Sequence, residues 1–368
     1  MESPLPITLA YKTCKDTTIK LDIYPPNPST QSGPLRSAVV YFHGGGLTVG
    51  TRKSWFPVWL YNRLNDAGHT LICPDYRLIP TDGVTGHKVL EDIKDVFAFM
   101  IGEGLRKALG NMTVGPDGGP LPTFQFDANR IAVAGTSAGG TCAYLAAINV
   151  RPKPKAVVSL YGMGGNFLRP HYYTPKTQPF FRGRELLEPS NFSEFIHPFS
   201  ASETNPIAES PLEYHPPTYH IPGYPANPRM LLSRLYLQLG TFLDYYTGQH
   251  EPSLSASLRK ADGEGTSLAK CIREHDVPII PSLFVDSSWP ATMFIHGSED
   301  TAVPVHESEH LHSLLQEAGA TSELVVVEGK EHSFDYEPNS EDTHGELFDR
   351  IAQFLDKHLR VVTGLEHC

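Results

Sequence analysis

An α/β fold is predicted for this 368-residue chain: a mostly parallel central sheet flanked by helices, with a cap inserted over one end. Three observations predict it. Short β-rich runs alternate with helix-length segments over most of the chain. Those runs are apolar at nearly every position, as strands covered on both faces are. One stretch, residues 163–290, breaks the alternation and holds 16 of the 32 prolines and 8 of the 16 tyrosines.

The elements follow in order. Residues 7–10 and 18–24 each alternate apolar and polar positions, which predicts an antiparallel hairpin at a sheet edge. Buried strands are predicted at 37–42 (SAVVYF), 70–73 (TLIC), 130–134 (RIAVA), 156–160 (AVVSL), 291–295 (ATMFI) and 323–327 (ELVVV). Helices are predicted at 55–67, 87–100, 138–150, 306–318 and 344–359. Repeated proline excludes central strands from the long interruption. Its one convincing helix spans 229–246, where Leu231, Leu235, Leu239, Phe242 and Tyr246 fall on one face. The chain is therefore divided into a first core part (1–162), a cap (163–285) and a second core part (286–368). The cap's tyrosines and this helix are expected to supply most of the walls of a small-molecule pocket. Trp55 and Phe56 are candidates for the core side of that pocket, or buried helix residues.

Composition narrows the function. Lys plus Arg number 30 against 41 Asp plus Glu, a formal net charge of −11, which repels phosphate backbones and anionic lipid, so no nucleic-acid partner is expected. The five cysteines (14, 73, 142, 271 and 368) are odd in number and form no CxxC pair, so neither a disulfide framework nor a zinc site is expected. No apolar run approaches the ~20 residues of a membrane span. The first residues, MESPLPITLAYKTCK, lack a basic region followed by a long apolar one. A cytoplasmic protein is expected, with the sequons at Asn111 and Asn191 unmodified.

Four loops carry the chemistry. Gly135-Thr136-Ser137-Ala138-Gly139 follows the strand RIAVA and precedes a small-residue helix. A serine on so sharp a strand-to-helix turn needs glycine neighbours, and the turn pushes its Oγ out at the sheet edge. GxSxG alone recurs by chance in glycine-rich chains; its strand–helix context gives it weight. His43-Gly44-Gly45-Gly46 follows SAVVYF, and three consecutive glycines let backbone N–H groups converge on an anion. No GK[ST] follows to make a phosphate loop, and the dinucleotide fingerprint is not matched. Asp300 lies in the loop after ATMFI, and His332 in the loop after ELVVV. All four follow core strands, so they meet at the end where parallel sheets bind ligands. Glu299 competes with Asp300 for the acidic role. His296 reads as structural.

These residues form a resemblance as well. His43-Gly-Gly-Gly, Asp75-Tyr76-Arg77-Leu78, Gly135-Thr136-Ser137-Ala138-Gly139-Gly140, Asp300-x-x-Val303-Pro304 and His332-x-Phe334 resemble the α/β-hydrolases of the hormone-sensitive-lipase carboxylesterase family. The resemblance covers the core and leaves the cap unconstrained. It implies an α/β-hydrolase fold, a catalytic triad of Ser137, Asp300 and His332, and an oxyanion hole of Gly45, Gly46 and Ala138. It also implies a structural brace at Asp75-Tyr76-Arg77.

The expected activity is a serine-dependent hydrolysis of a carboxylic ester on a small-molecule acyl substrate. His332 would take the proton of Ser137 while Asp300 holds the imidazole. No metal or organic cofactor is called for. The rival readings are a thioesterase, amidase or cyclase acting on a biosynthetic acyl intermediate with the same triad, and a catalytically silent small-molecule receptor. A lipase acting at lipid surfaces fits the acidic composition poorly.

Overall fold

A computed structural model describes residues 5–27, 35–81, 83–112, 124–199, 207–221 and 223–360. Cys368, Thr113 of the Asn111 sequon, the first residues of the N-terminal segment, the last eight of the second core part and a few positions of the 163–285 segment lie outside them.

The first half of the chain forms β1 (Ile7–Cys14), β2 (Thr17–Tyr24), β3 (Leu35–Phe42), α1 (Val58–Ala67), β4 (Thr70–Pro74), α2 (Gly86–Ile101), α3 (Glu103–Gly110), β5 (Gln125–Thr136), α4 (Ala138–Asn149) and β6 (Ala156–Leu160). The inserted segment adds short α5 (Pro170–Tyr173), α6 (Arg229–Leu239), α7 (Phe242–Thr247) and α8 (Leu254–Gly263). The chain then returns through β7 (Ala291–Gly297), α9 (His306–Glu317), β8 (Ser322–Val327) and α10 (Ser340–Leu359).

The eight strands make one sheet in the order β1-β2-β4-β3-β5-β6-β7-β8. The β1–β2 and β2–β4 pairs are antiparallel, and all others are parallel. Alternate side chains feed two cores. Ala38, Val40 and Phe42 of β3 pack on the side of α2, α3, α4 and α9, while Val39 and Tyr41 pack with α1 and α10. This three-layer arrangement is what strands apolar at every position require. Among the described residues no helix is long and apolar enough to cross a membrane.

Register brings the strand ends together. Phe42 pairs with Gly135, Thr136 with Leu160, Leu160 with Ile295, and Gly297 with Val327. The loops that leave β3, β5, β7 and β8 therefore emerge side by side.

Three expectations are corrected. Strand β8 is not buried: its residues are half-buried or exposed, because it is the last strand of the sheet, and Val326 is 41% exposed. The helix at 229–246 is two helices, α6 and α7. Gly240 breaks it with φ 63°, and a Cβ there would come within 2.5 Å of the backbone nitrogen of Pro175, so the break is glycine-specific. The tyrosines of the inserted segment mostly do not wall a pocket. Tyr172, Tyr173, Tyr236, Tyr245 and Tyr246 are buried within it, with Tyr236 stacked on Tyr245 at 3.7 Å. Irregular, proline-rich chain needs large apolar side chains to build a core, and tyrosine supplies them.

Candidate active site

Strand β5 ends at Thr136 and α4 begins at Ala138, leaving Ser137 alone in the turn with φ 53° and ψ −121°. That backbone is strained for a residue with a side chain. Three hydrogen bonds hold it: Ser137 N–H donates to Leu160 O (3.1 Å), and its carbonyl accepts from the N–H groups of Gly140 (2.9 Å) and Met163 (2.8 Å).

The glycine loop begins beside this turn. His43 is buried, its ring stacks on Tyr76 at 4.4 Å, and its Nδ1 lies 2.8 Å from the carbonyl of Gly44. Burial pushes the His43 pKa down to about 4, so the ring is neutral at pH 7 and serves to shape the loop. Gly46 has φ 63°, and a Cβ on it would stand 2.2 Å from the Cβ of Ser233 on α6. Among the described residues none accepts a hydrogen bond from the N–H groups of Gly45, Gly46 or Ala138.

Asp300 is buried just beyond β7. Its Oδ1 accepts from the N–H groups of Ala302 and Val303, both at 2.9 Å. Its Oδ2 lies 2.7 Å from His332 Nδ1. Burial opposes the charged carboxylate, but His332 and then His296 outweigh it and hold the carboxyl far below its usual range. His296 is fully buried and bonded to Val303 O (2.7 Å) and Ser308 Oγ (2.8 Å), a bracing position. Glu299 is exposed, and Asp300 is the carboxylate bonded to His332. The edge of the Tyr161 ring packs on the His332 ring at 4.6 Å, and Arg182 of the inserted segment donates to the His332 carbonyl.

Ser137 and His332 line one cavity of about 230 Å³, with Gly45, Gly46 and Trp55. Asp300 and Ala138 are buried and are not among the residues lining it. Trp55 lines the cavity, whereas Phe56 packs on Tyr24 at 4.7 Å. The inserted segment contributes the α6 face of Met230, Ser233, Arg234 and Leu237, which share a side at helical spacing, but core residues supply at least as much of the wall.

Beneath the site, Asp75 holds Arg52 through both carboxylate oxygens, each bond 2.6 Å. Tyr76 donates to His43 O at 2.8 Å, and Arg77 forks onto Asp92. Arg52 also meets Asp22 at 3.0 Å. Sequence reading missed Arg52, Asp92 and Arg234; the only available signal for Arg234 is a cation set among the leucines of α6. Away from the site, His87, His275 and Asp276 gather donor atoms, as do Glu91, Asp92 and Asp95. Arg273 and Lys12 respectively already pair with those carboxylates, which makes both ion-pair clusters. Cys14, Cys73, Cys142 and Cys271 are unpaired.

Residues 39–219 match a family of α/β-hydrolase fold, and residues 275–361 match the prolyl oligopeptidase family. A non-reducing polyketide synthase of Aspergillus calidoustus is 26% identical over 350 residues, covering 89% of this chain and 13% of that protein. One from Penicillium brevicompactum is 28% identical over 88% of this chain and 14% of that protein. The chain thus spans about an eighth of the length of these synthases. A protein of Phoma sp. named probable carboxylesterase M8 is 26% identical, with 88% of each chain covered. Among solved structures, esterase 2 of Thermogutta terrifontis superposes with a TM-score of 0.53 at 18% identity, over 97% of this chain and 96% of that one, a likeness of fold. The two family matches lie on either side of α6, α7 and α8, one ending in the loop before α6 and the other taking up the strands that lead to Asp300 and His332, and with the observed sheet they show that this chain has the α/β-hydrolase fold.

Proposed function

We propose that this chain is a serine hydrolase that cleaves a carboxylic ester through an acyl-enzyme. Ser137 is the nucleophile, His332 the general base, Asp300 the group that orients it, and residues 163–285 the cap. Ser137 Oγ adds to the acyl carbon as His332 Nε2 takes its proton, and the alcohol leaves with that proton. Water then attacks the acyl-enzyme with the same base, releasing the acid and restoring Ser137. The N–H groups of Gly45, Gly46 and Ala138 bind the oxyanion, and each such donor is worth roughly 10²–10³ in rate.

The observation that carries this reading is the 2.7 Å bond from His332 Nδ1 to a doubly anchored Asp300, with His332 and the strained Ser137 lining one cavity. A fluorophosphonate should label Ser137, and Ser137→Ala should lose at least ~10³ of hydrolytic rate while keeping its fold. A label on another serine, or turnover undiminished in Ser137→Ala, would overturn it.

A second reading has its own observation. The similarity to polyketide synthases supports a polyketide-type acyl group held as a thioester in place of an oxygen ester. The same triad serves both. Matched oxygen esters and N-acetylcysteamine thioesters of one aromatic acid decide between them by kcat/KM.

A further inference from the structure

Two arginines of α6 are buried, and they are used differently. Arg229 is 6% exposed and its guanidinium is filled by core carbonyls: Thr48 O at 2.8 Å, Ile79 O at 2.8 Å and Pro80 O at 3.1 Å. Arg234 is 7% exposed, yet it makes one long bond, 3.4 Å from Nη2 to the carbonyl of Glu185. Its Nε is buried with no partner, and among the described residues no carboxylate forms an ion pair with it. A buried guanidinium with neither a counter-charge nor a full set of acceptors is costly, and a bound anion would supply both.

Its position says which ligand. Arg234 lines the 230 Å³ cavity that holds Ser137 and also a second cavity of about 820 Å³ within the inserted segment. In sequence it follows Ser233, whose side chain rests on Gly46, and it shares with Gly46 the wall of the cavity that holds Ser137. Among the described residues, no charged group around the second cavity forms an ion pair with Arg234. Glu185 offers Arg234 its carbonyl, the Glu188 carboxylate accepts from Ser190 N and Oγ, and Arg184 adds positive charge. The smaller cavity falls below the ~300–1,000 Å³ of ordinary ligand sites, and Arg234 is the residue common to the walls of both cavities.

We propose that Arg234 is a specificity residue for an anionic substrate, an acyl ester or thioester that carries a second, ionised carboxylate or equivalent oxyanion, bound by the guanidinium fork between the two cavities. This rests on the hydrolase reading and deepens it. A fork matches a carboxylate with two parallel N–H···O bonds, which a neutral amide cannot reproduce.

The test compares the monomethyl esters of succinic, glutaric and adipic acid with the same esters bearing a carboxamide in place of the free carboxylate. At the best chain length the wild-type enzyme should prefer the carboxylate by about 10–100-fold in kcat/KM, the worth of a charge-assisted pair. Arg234→Gln should bring that ratio near one, and Arg234→Lys should retain part of it. Binding of the preferred monoester to Ser137→Ala, measured by calorimetry, should weaken by the same factor when Arg234→Gln is added. A carboxamide preference at all three lengths, or a ratio and an affinity unmoved by Arg234→Gln in folded protein, would overturn the anion site. Fluorophosphonate labelling separates the two readings. If Ser137 labels and the ratio does not move, the anion site alone falls. If Ser137 does not label, the hydrolase reading falls, and the calorimetric arm still decides the anion site.

Discussion

His296 Nε2 stands 3.2 Å from Oδ2 of Asp300, the same oxygen that His332 meets from the other side. The carboxylate is thus gripped between a fully buried ring and one that reaches the cavity, and its second oxygen is fixed by two backbone donors. Asp300→Asn keeps the shape but offers an amide where the imidazole needs an acceptor. It should lower kcat by about 10⁴ if the triad behaves as in serine proteases. Glu299→Gln should stay within about twofold of wild type, since Glu299 is exposed. Steady-state kinetics on one ester decides it. A larger loss at 299 than at 300 would exchange the two roles.

Gly46→Ala should damage both stability and rate. The new Cβ would meet Ser233, and the residue would be held at φ 63°. Strain of this kind costs about 1–3 kcal/mol. A displaced donor should reduce kcat by roughly 10²–10³. Adding Ser233→Gly relieves the clash and should recover part of the stability, which urea titration reads directly.

The two buried arginines of α6 should part company under mutation. Arg229→Met leaves three buried carbonyls short of a donor and should cost about 2–4 kcal/mol. Arg234→Met removes an unpaired buried charge and should be neutral or stabilising by up to about 1–2 kcal/mol. Chemical denaturation of both variants checks the contrast. Equal destabilisation would mean that Arg234 is a structural residue too.

Glu307 gives a pH dependence. Its carboxyl is fully buried on α9, where Oε2 accepts from the N–H groups of Gly164 (3.1 Å) and Asn166 (2.9 Å). Burial pushes its pKa up to about 8, with those backbone donors and Arg169 pulling the other way. Because the folded value lies above the ~4.5 of an unfolded glutamate, the folded state keeps a proton that the unfolded state releases. Its contribution to stability is full below about pH 4.5 and is lost as pH rises toward about 8. Glu307→Gln should therefore match wild type in melting temperature near pH 4.5 and exceed it near pH 8. A difference independent of pH would exclude the buried proton.

Strand positions were legible because a doubly covered strand must be apolar throughout, and the loops bearing Ser137, Asp300 and His332 could be assigned to one sheet edge from chain order. The run ELVVV resembles β6 and reads as a buried strand, and only its place at the end of the sheet exposes it. The break at Gly240 had a sequence signal, a glycine inside an apolar helical run, which the leucine spacing on either side masked. Helix α8 had one as well, since Ser253 after a proline caps it by accepting from Ala256 N. What no local pattern encodes is which charges meet across the fold. Asp75 is 23 positions from Arg52, and Arg229 is 181 from Thr48, so the brace under the glycine loop and the fastening above it exist only once the chain has folded.

The fastening of α6 bears on how such proteins could be re-engineered. The helix rests on Gly46 through Ser233, is bolted to Thr48 through Arg229, and turns Met230 and Leu237 toward Ser137. Exchanging residues 163–285 for the same region of a relative would therefore also replace the supports of the glycine loop at Gly46 and Thr48. A chimera joined at those points should inherit a misshapen glycine loop unless the donor's helix carries its own small residue over position 46 and its own donor to the Thr48 carbonyl. Grafting within α6, one side chain at a time along its inward stripe, leaves that scaffold in place.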